Sequence, residues 1–296
     1  MASKKIIIGT WPLSGDYGAI KQKNIVKILK LCEKKNFLEF DTAPSYGNYF
    51  AEKILGETLR ENKRVKFNTK VGNLGSRGKS FKLKNIKVSF QESMERLHGK
   101  INILYLHNPR LPKVKILELL NYLNDLKKKG YIQKTGISLA KNFNYEIELL
   151  NKFDAVQDDA NLLFMRFLNF KKKKFKFYAR SPFANGLLTE KFELKRKFNV
   201  NDHRRSWLNV RRKKIILKCI NVIKSEVTAD IKKLAFNYLF FNPMIDHCIF
   251  GVKQISHINY LAKSSSNKKP KIEFKKIEDL YSNNFNLNKK DIKYMF

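Results

Sequence analysis

At 296 residues, with 43% hydrophobic and 12% aromatic side chains, the chain can bury a globular core, and no apolar run approaches the ~20 residues that span a bilayer. The formal net charge of +35 is a field that attracts anions, yet the excess lysine is spread along the whole chain with no aromatic RNP run or basic zipper region, which argues against a specific nucleic-acid partner. Cys32, Cys219 and Cys248 lie far apart without CxxC spacing, so buried thiols are expected, with neither a disulfide framework nor a metal site. Met1 to Lys5 runs straight into Ile6-Ile7-Ile8-Gly9, too short for a signal-peptide core; the expectation is a cytoplasmic protein that does not engage the membrane.

Taken in chain order, β-rich apolar runs recur at Lys5 to Thr10, Phe37 to Thr42, Val65 to Val71, Ile101 to His107, Ile132 to Leu139, Ala155 to Asn161, Phe175 to Ser181 and His247 to Val252. Between them, apolar residues return at helical spacing: Ile25, Ile28, Leu29 and Cys32, then Ile86, Phe90, Met94 and Leu97, then Leu117, Leu120, Leu123 and Leu126. About eight alternating units in roughly 250 residues fit a (β/α)8 TIM barrel, whereas a doubly wound sheet would show fewer strands and a Gly-rich first turn. No Pro/Gly/Ser linker divides the chain, so a single α/β domain over residues 1–263 is expected. Ser264 to Pro270 opens a polar C-terminal extension, residues 264–296, read as a loop followed by a last helix.

In such a barrel the loops after the strands carry the chemistry, and four polar residues fall there: Asp41 and Tyr46 after the second run, Lys70 in the third, His107 ending the fourth. A phenol with an ordinary pKa near 10 needs a neighbouring cation to exchange its proton near neutrality. Lys70 can supply that cation, Asp41 can pair with the ammonium, and His107 can hydrogen-bond a carbonyl oxygen. The set suits protonation of a developing alkoxide.

Asp41-Thr42-Ala43-Pro44-Ser45-Tyr46-Gly47, then Thr69-Lys70-Val71-Gly72, Leu104-Tyr105-Leu106-His107 and Gly130-Tyr131-Ile132 together resemble the aldo-keto reductase superfamily, and the likeness runs from Gly9 to about Asn259. The resemblance implies hydride exchange between a nicotinamide cofactor and a carbonyl on a (β/α)8 barrel, with Tyr46 as general acid or base, Lys70 and Asp41 tuning it, and His107 orienting the carbonyl. It further implies that Ser138, Gln157 and Asn161 hold the carboxamide, and that Ser181, Pro182, Gly186 and Leu187 line the pyrophosphate. The stretch Ile249 to Gln254 resembles the adenosine phosphate loop. There Gly251 permits a close backbone approach, Lys253 would meet a 2′-phosphate, and Gln254 or His257 would approach adenine, which favours NADPH over NADH. Two positions depart from the family pattern: Leu139 follows Ser138 where asparagine is common, and Arg180 stands where many members stack an aromatic ring on the nicotinamide. A guanidinium can also stack, and its charge would disfavour the oxidised cofactor.

The Gly15-Asp16-Tyr17-Gly18 turn, the Arg180-Ser181 pair and the form of the tyrosine loop look most like reductases of bacterial polysaccharide or sugar metabolism, so the expected partner is a small carbonyl compound or sugar. Trp11, Tyr49 and Phe50 are candidate pocket walls. His203-Arg204-Arg205 in a polar insertion reads either as a phosphate or substrate contact or as an exposed turn, and Lys171 to Lys174 as a solvated run. The same barrel also serves as a cofactor-binding regulatory subunit of potassium channels, which is the alternative reading. Nothing in the sequence indicates whether the chain is a monomer or a homo-oligomer.

Overall fold

Continuous Ile, Leu and Phe runs become strands here because a parallel barrel buries both faces of each strand, one against helices and the other in the lumen. The computed structural model describes residues 5–141, 143–189, 192–195, 197–227 and 230–285. In it eight parallel strands close into one barrel in sequence order: β1 (Ile6–Gly9), β2 (Glu39–Asp41), β3 (Lys66–Val71), β4 (Ile101–His107), β5 (Ile132–Ser138), β6 (Ala155–Asp159), β7 (Lys176–Arg180) and β8 (His247–Gly251). The barrel shuts where β1 lies beside β8, with Gly9 opposite Gly251. Each strand falls within its expected run.

The outer layer is formed by α1 (Gln22–Lys34), α2 (Phe50–Leu59), α3 (Leu83–Arg96), α4 (Lys113–Lys128), the single turn α5 (Ile147–Leu150), the short α6 (Arg204–Trp207), α7 (Val210–Glu226), α8 (Ile231–Phe240) and α9 (Ile255–Ser266). The helical spacing is realised in α1, whose Ile25, Ile28, Leu29 and Cys32 are all buried against the barrel. In α4 the buried stripe is Ile116, Leu119, Leu120, Leu123 and Leu126, turned slightly from the expected Leu117. Each such Leu or Ile adds about 1.5–3 kcal/mol relative to exposure.

Alternation is not complete. Between β6 and β7 the chain makes a 3₁₀ turn, Arg166–Asn169, in place of a longer helix, and Phe167, Phe170 and Phe175 are buried in the core there. The C-terminal extension covers this place. Its helix α10 (Phe274–Leu280) buries Ile277, and Tyr238 of α8 joins the two: its hydroxyl lies 3.4 Å from Met165 Sδ and 3.3 Å from Glu278 Oε1, and its ring packs on Phe274. The extension was expected to open at Ser264, but Ser264 to Ser266 form the last turn of α9 with Ser265 buried, so the loop starts at Asn267. A π-helical turn, Tyr281–Phe285, ends the described chain, and the remainder of the extension lies outside the described residues.

Ile7, Ile103, Tyr105, Ala155, Tyr178 and Ile249 plug the lumen. Gly136 makes this possible, since a Cβ there would overlap the Tyr105 ring. Above the plug the inward positions turn polar at the C-terminal strand ends: Asp41, Lys70, His107, Ser138, Gln157, Asp159 and Arg180. The three thiols are free and buried, and no helix among the described residues is long and apolar enough to cross a membrane.

Candidate active site

Lys70 is fully buried near the end of β3, and its ammonium uses all three of its donors. It reaches Asp41 Oδ1 at 2.7 Å, the Thr42 carbonyl at 2.7 Å and the Tyr46 hydroxyl at 3.2 Å. Asp41 arrives on β2, whose last residue lies opposite Asn68 of β3, and Tyr46 on the loop that follows. Three expected partners therefore meet. Burial alone would pull the ammonium down, but Asp41 and the bonds it receives carry the Lys70 pKa above its ordinary value. Tyr46 departs from the expectation of a lowered pKa: burial pushes the phenol up, and the opposing pull of Lys70, helped by Arg180, does not overcome it.

His107 ends β4 with its ring 6.3 Å from that of Tyr46 and edge-on to it. Burial first, then the cations Lys70, Arg180 and Lys79, hold its pKa well below the ordinary imidazole value. It is therefore a neutral imidazole at pH 7, and its buried Nδ1 has no hydrogen-bond partner. A neutral ring can still donate one N–H to a carbonyl oxygen.

Ser138 and Gln157, expected at a carboxamide, are engaged with the protein itself. The Ser138 hydroxyl donates to Gln157 Oε1 at 2.9 Å, and Gln157 Nε2 donates to Asp41 Oδ2 at 2.7 Å. Arg180 completes the line, donating to Ser138 Oγ at 2.9 Å, Asn108 Oδ1 at 3.2 Å, the Leu139 carbonyl at 2.9 Å and Asp159 Oδ2 at 3.1 Å. The charge of Arg180, expected to disfavour an oxidised nicotinamide, is met directly by the Asp159 carboxylate. Asp159 and Asn108 were not foreseen. The spacing of Asp159, two residues beyond Gln157 on one strand, marks the same face, but only the folded sheet sets it opposite Arg180 on β7.

Loops after β1, β7 and β8 roof this floor. Trp11 stacks on Tyr46 with ring centroids 5.7 Å apart, and meets Tyr17 at 5.2 Å and His203 at 4.5 Å. Its indole N–H donates to Asp16 Oδ2 at 2.6 Å. Tyr49 and Phe50, also expected as pocket walls, turn away: the Tyr49 hydroxyl donates to the Leu74 carbonyl at 2.6 Å, and Phe50 packs on the core. The insertion after β7 is not an exposed turn, for Tyr17 bridges Asp202 in antiparallel fashion and His203 N donates to the Asp16 carbonyl at 2.8 Å. Arg204 holds both oxygens of Asp202, at 2.9 and 2.6 Å, and the Asn185 carbonyl at 3.0 Å.

Around that bridge lie the residues expected at the phosphates. Ser181 adopts a positive φ of 57° and its carbonyl accepts from Asn161 Nδ2 at 3.2 Å, so Asn161 braces this turn. Gly186 faces Arg204; Pro182 is buried and the Leu187 side chain belongs to the core, leaving only its backbone available to a ligand. Lys253 reaches over Gly18 and donates to the Tyr17 carbonyl. Gln254 caps α9, its neighbour His257 accepts from Lys253 N at 3.2 Å, and the close approach at Gly251 is made by Pro12. Arg204 and Lys253 set two cations beside Asp202 here, which could meet a phosphate-bearing cofactor. Among the described residues no cluster could hold a metal ion.

An eight-stranded parallel barrel with lysine, aspartate, tyrosine and histidine at one mouth defines a narrow class of protein. The chain matches the Aldo/keto reductase family over residues 5–282 and belongs to it. It is 28% identical over 202 residues to L-galactose dehydrogenase of Arabidopsis thaliana, covering 62% of this chain and 62% of that protein. It is 27% identical over 162 residues to aldo-keto reductase YhdN of Bacillus subtilis (strain 168), covering 52% and 47%. These matches thus span about half to two-thirds of the relatives' own length. Among solved structures, the glycerol dehydrogenase AKR11B4 from Gluconobacter oxydans superposes with a TM-score of 0.73 at 20% identity, covering 94% of this chain and 91% of that one. An aldo/keto reductase from Klebsiella pneumoniae, in complex with NADP and acetate, gives 0.67 at 17% identity, with 94% and 91% covered. At these identities the structural likeness establishes the shared barrel.

Proposed function

We propose that the chain is a cytoplasmic NADP(H)-dependent oxidoreductase that moves hydride between the nicotinamide and a small carbonyl compound, an aldehyde, ketone or sugar, with Tyr46 as general acid and base. The observation that carries this reading is the use of all three Lys70 donors. The Tyr46 oxygen accepts from Lys70, so its own proton is directed elsewhere, to the substrate oxygen. The raised phenol stays protonated at pH 7 as a reductase acid must, and the neutral His107 donates to the same oxygen. The cofactor, when bound, supplies the hydride.

Arg204 and Lys253 support NADP(H) over NAD(H), because a 2′-phosphate adds charge for them to meet, and the NADP held by the Klebsiella relative agrees with that preference. Trp11, Tyr17 and His203 form an aromatic wall beside Tyr46, suited to a small substrate with an apolar or sugar-like face. The test measures NADPH consumption over a panel of aldehydes, ketones and keto sugars by the wild type and Tyr46→Phe, with cofactor binding followed by fluorescence. The expected result is turnover by the wild type, a loss of at least about 100-fold in Tyr46→Phe, and binding of NADPH by both. Equal turnover by the two proteins removes Tyr46 as the acid. Tight NADPH binding without turnover on any carbonyl replaces the enzyme with a cofactor-binding regulatory subunit.

A further inference from the structure

We propose that Arg180, held by Asp159, is a positioning residue for the acid–base site: it fixes Ser138, and through Ser138 and Gln157 keeps Asp41 and Lys70 oriented toward Tyr46. This rests on the reading of Tyr46 as the acid and adds a residue from the far side of the barrel mouth.

The observation is one unbroken line of side-chain hydrogen bonds from β7 to the tyrosine loop. Arg180 donates to Ser138, Ser138 to Gln157, Gln157 to Asp41, and Lys70 to both Asp41 and Tyr46. Ser138, Gln157 and Asp41 are buried, so water offers them little alternative. Arginine is a donor only and keeps its charge at every working pH, while an ionised aspartate is an acceptor only. The residues between them are therefore left one consistent direction.

Ser138 has a single proton. Arg180 donates to one lone pair of its oxygen and cannot accept, so the proton goes to Gln157 Oε1, and the amide is fixed with its NH₂ toward Asp41 Oδ2. This leaves Asp41 Oδ1 for Lys70. Without Arg180, the Leu139 carbonyl and Asn108 Oδ1 would lose the donor that holds them and compete for the Ser138 proton. Gln157 would lose its donor, Asp41 one of its fixed bonds, and Lys70 its set position beneath Tyr46.

The groups facing Tyr46 are Lys70 from β3, Asp41 from β2, His107 from β4, Arg180 from β7 and Tyr17 from the loop after β1. Arg180 is thus also a second cation acting on the phenol, opposed at once by Asp159. Ser138→Ala separates the two contributions, since it leaves the ion pair intact and cuts the line.

Two variants carry the test, Ser138→Ala and the paired Arg180→Gln/Asp159→Asn, which removes both buried charges together. In cofactor-free protein labelled with ¹⁵N-glutamine, the Gln157 side-chain amide is assigned by its loss in Gln157→Met. Its NH₂ resonances are expected to be protected from solvent exchange in the wild type and to lose that protection in both variants. With NADPH and a carbonyl substrate, kcat is expected to fall about tenfold, equivalent to 1.36 kcal/mol, with KM for the carbonyl little changed and the Tyr46 limb of the pH profile moved upward by about one unit. Combining the variants should add little, because they break one line. A Gln157 amide as protected in the variants as in the wild type, or an unmoved pH profile, overturns the proposal and makes Arg180 and Asp159 a structural pair. Full activity of Tyr46→Phe would be a different failure, that of the acid itself. Should the paired variant not fold, Ser138→Ala alone decides.

Discussion

Replacing Lys70 with methionine keeps the length of the side chain and removes its charge. Lys70 is fully buried and Asp41 nearly so, and their 2.7 Å ion pair has no water to fall back on. The variant leaves Asp41 with only the Gln157 bond, an uncompensated buried carboxylate that costs about 3–5 kcal/mol. Unfolding entropy near 2.1 cal/mol/K for each of 296 residues amounts to about 0.6 kcal/mol/K, so Tm should fall by about 5–8 °C. Far-ultraviolet circular dichroism of the cofactor-free protein during heating reads this directly. Lys70→Met/Asp41→Leu, which removes both charges, should recover most of the loss, because replacing a buried pair with apolar side chains is near neutral. A Tm of Lys70→Met equal to or above the wild type, or a double variant less stable than the single one, would refute the argument that Asp41 is charged and dependent on Lys70.

Gly56 on α2 faces the Arg96 carbonyl at the end of α3, and an added Cβ would collide with that backbone oxygen. Gly56→Ala should therefore lower Tm despite the ~1 kcal/mol that alanine gains in a helix, with a net cost of about 1–2 kcal/mol, and a rise in Tm would show that the two helices can separate freely. His203 titrates at about 4, pushed down chiefly by burial and by Arg204 and Lys141 against the pull of Asp202. For an imidazole depressed in the folded state, stability is complete above about pH 6.5 and is lost as pH falls from there toward 4. Urea denaturation at pH 7 and pH 5 should show His203→Gln losing about 1 kcal/mol less than the wild type, a value kept below the full 1.36 kcal/mol per unit because the ring is half-buried; equal losses would place the ring in solvent.

How far the site was legible follows from what each residue depends on. Asp41, Tyr46, Lys70 and His107 stand in local motifs at strand ends, so their convergence followed from the closure of the barrel alone. Asp159 stands in no motif. Its part depends on β6 lying beside β7 in the register that sets it opposite Arg180. The roof was hidden for the same reason, since Trp11, Tyr17, Asp202, Arg204 and Lys253 belong to three loops far apart in sequence, and only folding brings Tyr17 against Asp202 and Lys253.

By itself the amino-acid order determined the eight strands, the helices α1, α3 and α4 and the four polar strand ends, because periodicity and strand termini are local properties of the chain. Tertiary structure alone decided three further matters: that burial leaves Tyr46 raised and His107 neutral, that Arg180 is paired, and that α10 covers the connection lacking a helix. Each depends on desolvation and on neighbours from distant segments. Such properties belong to a location in space, and no window of sequence contains them.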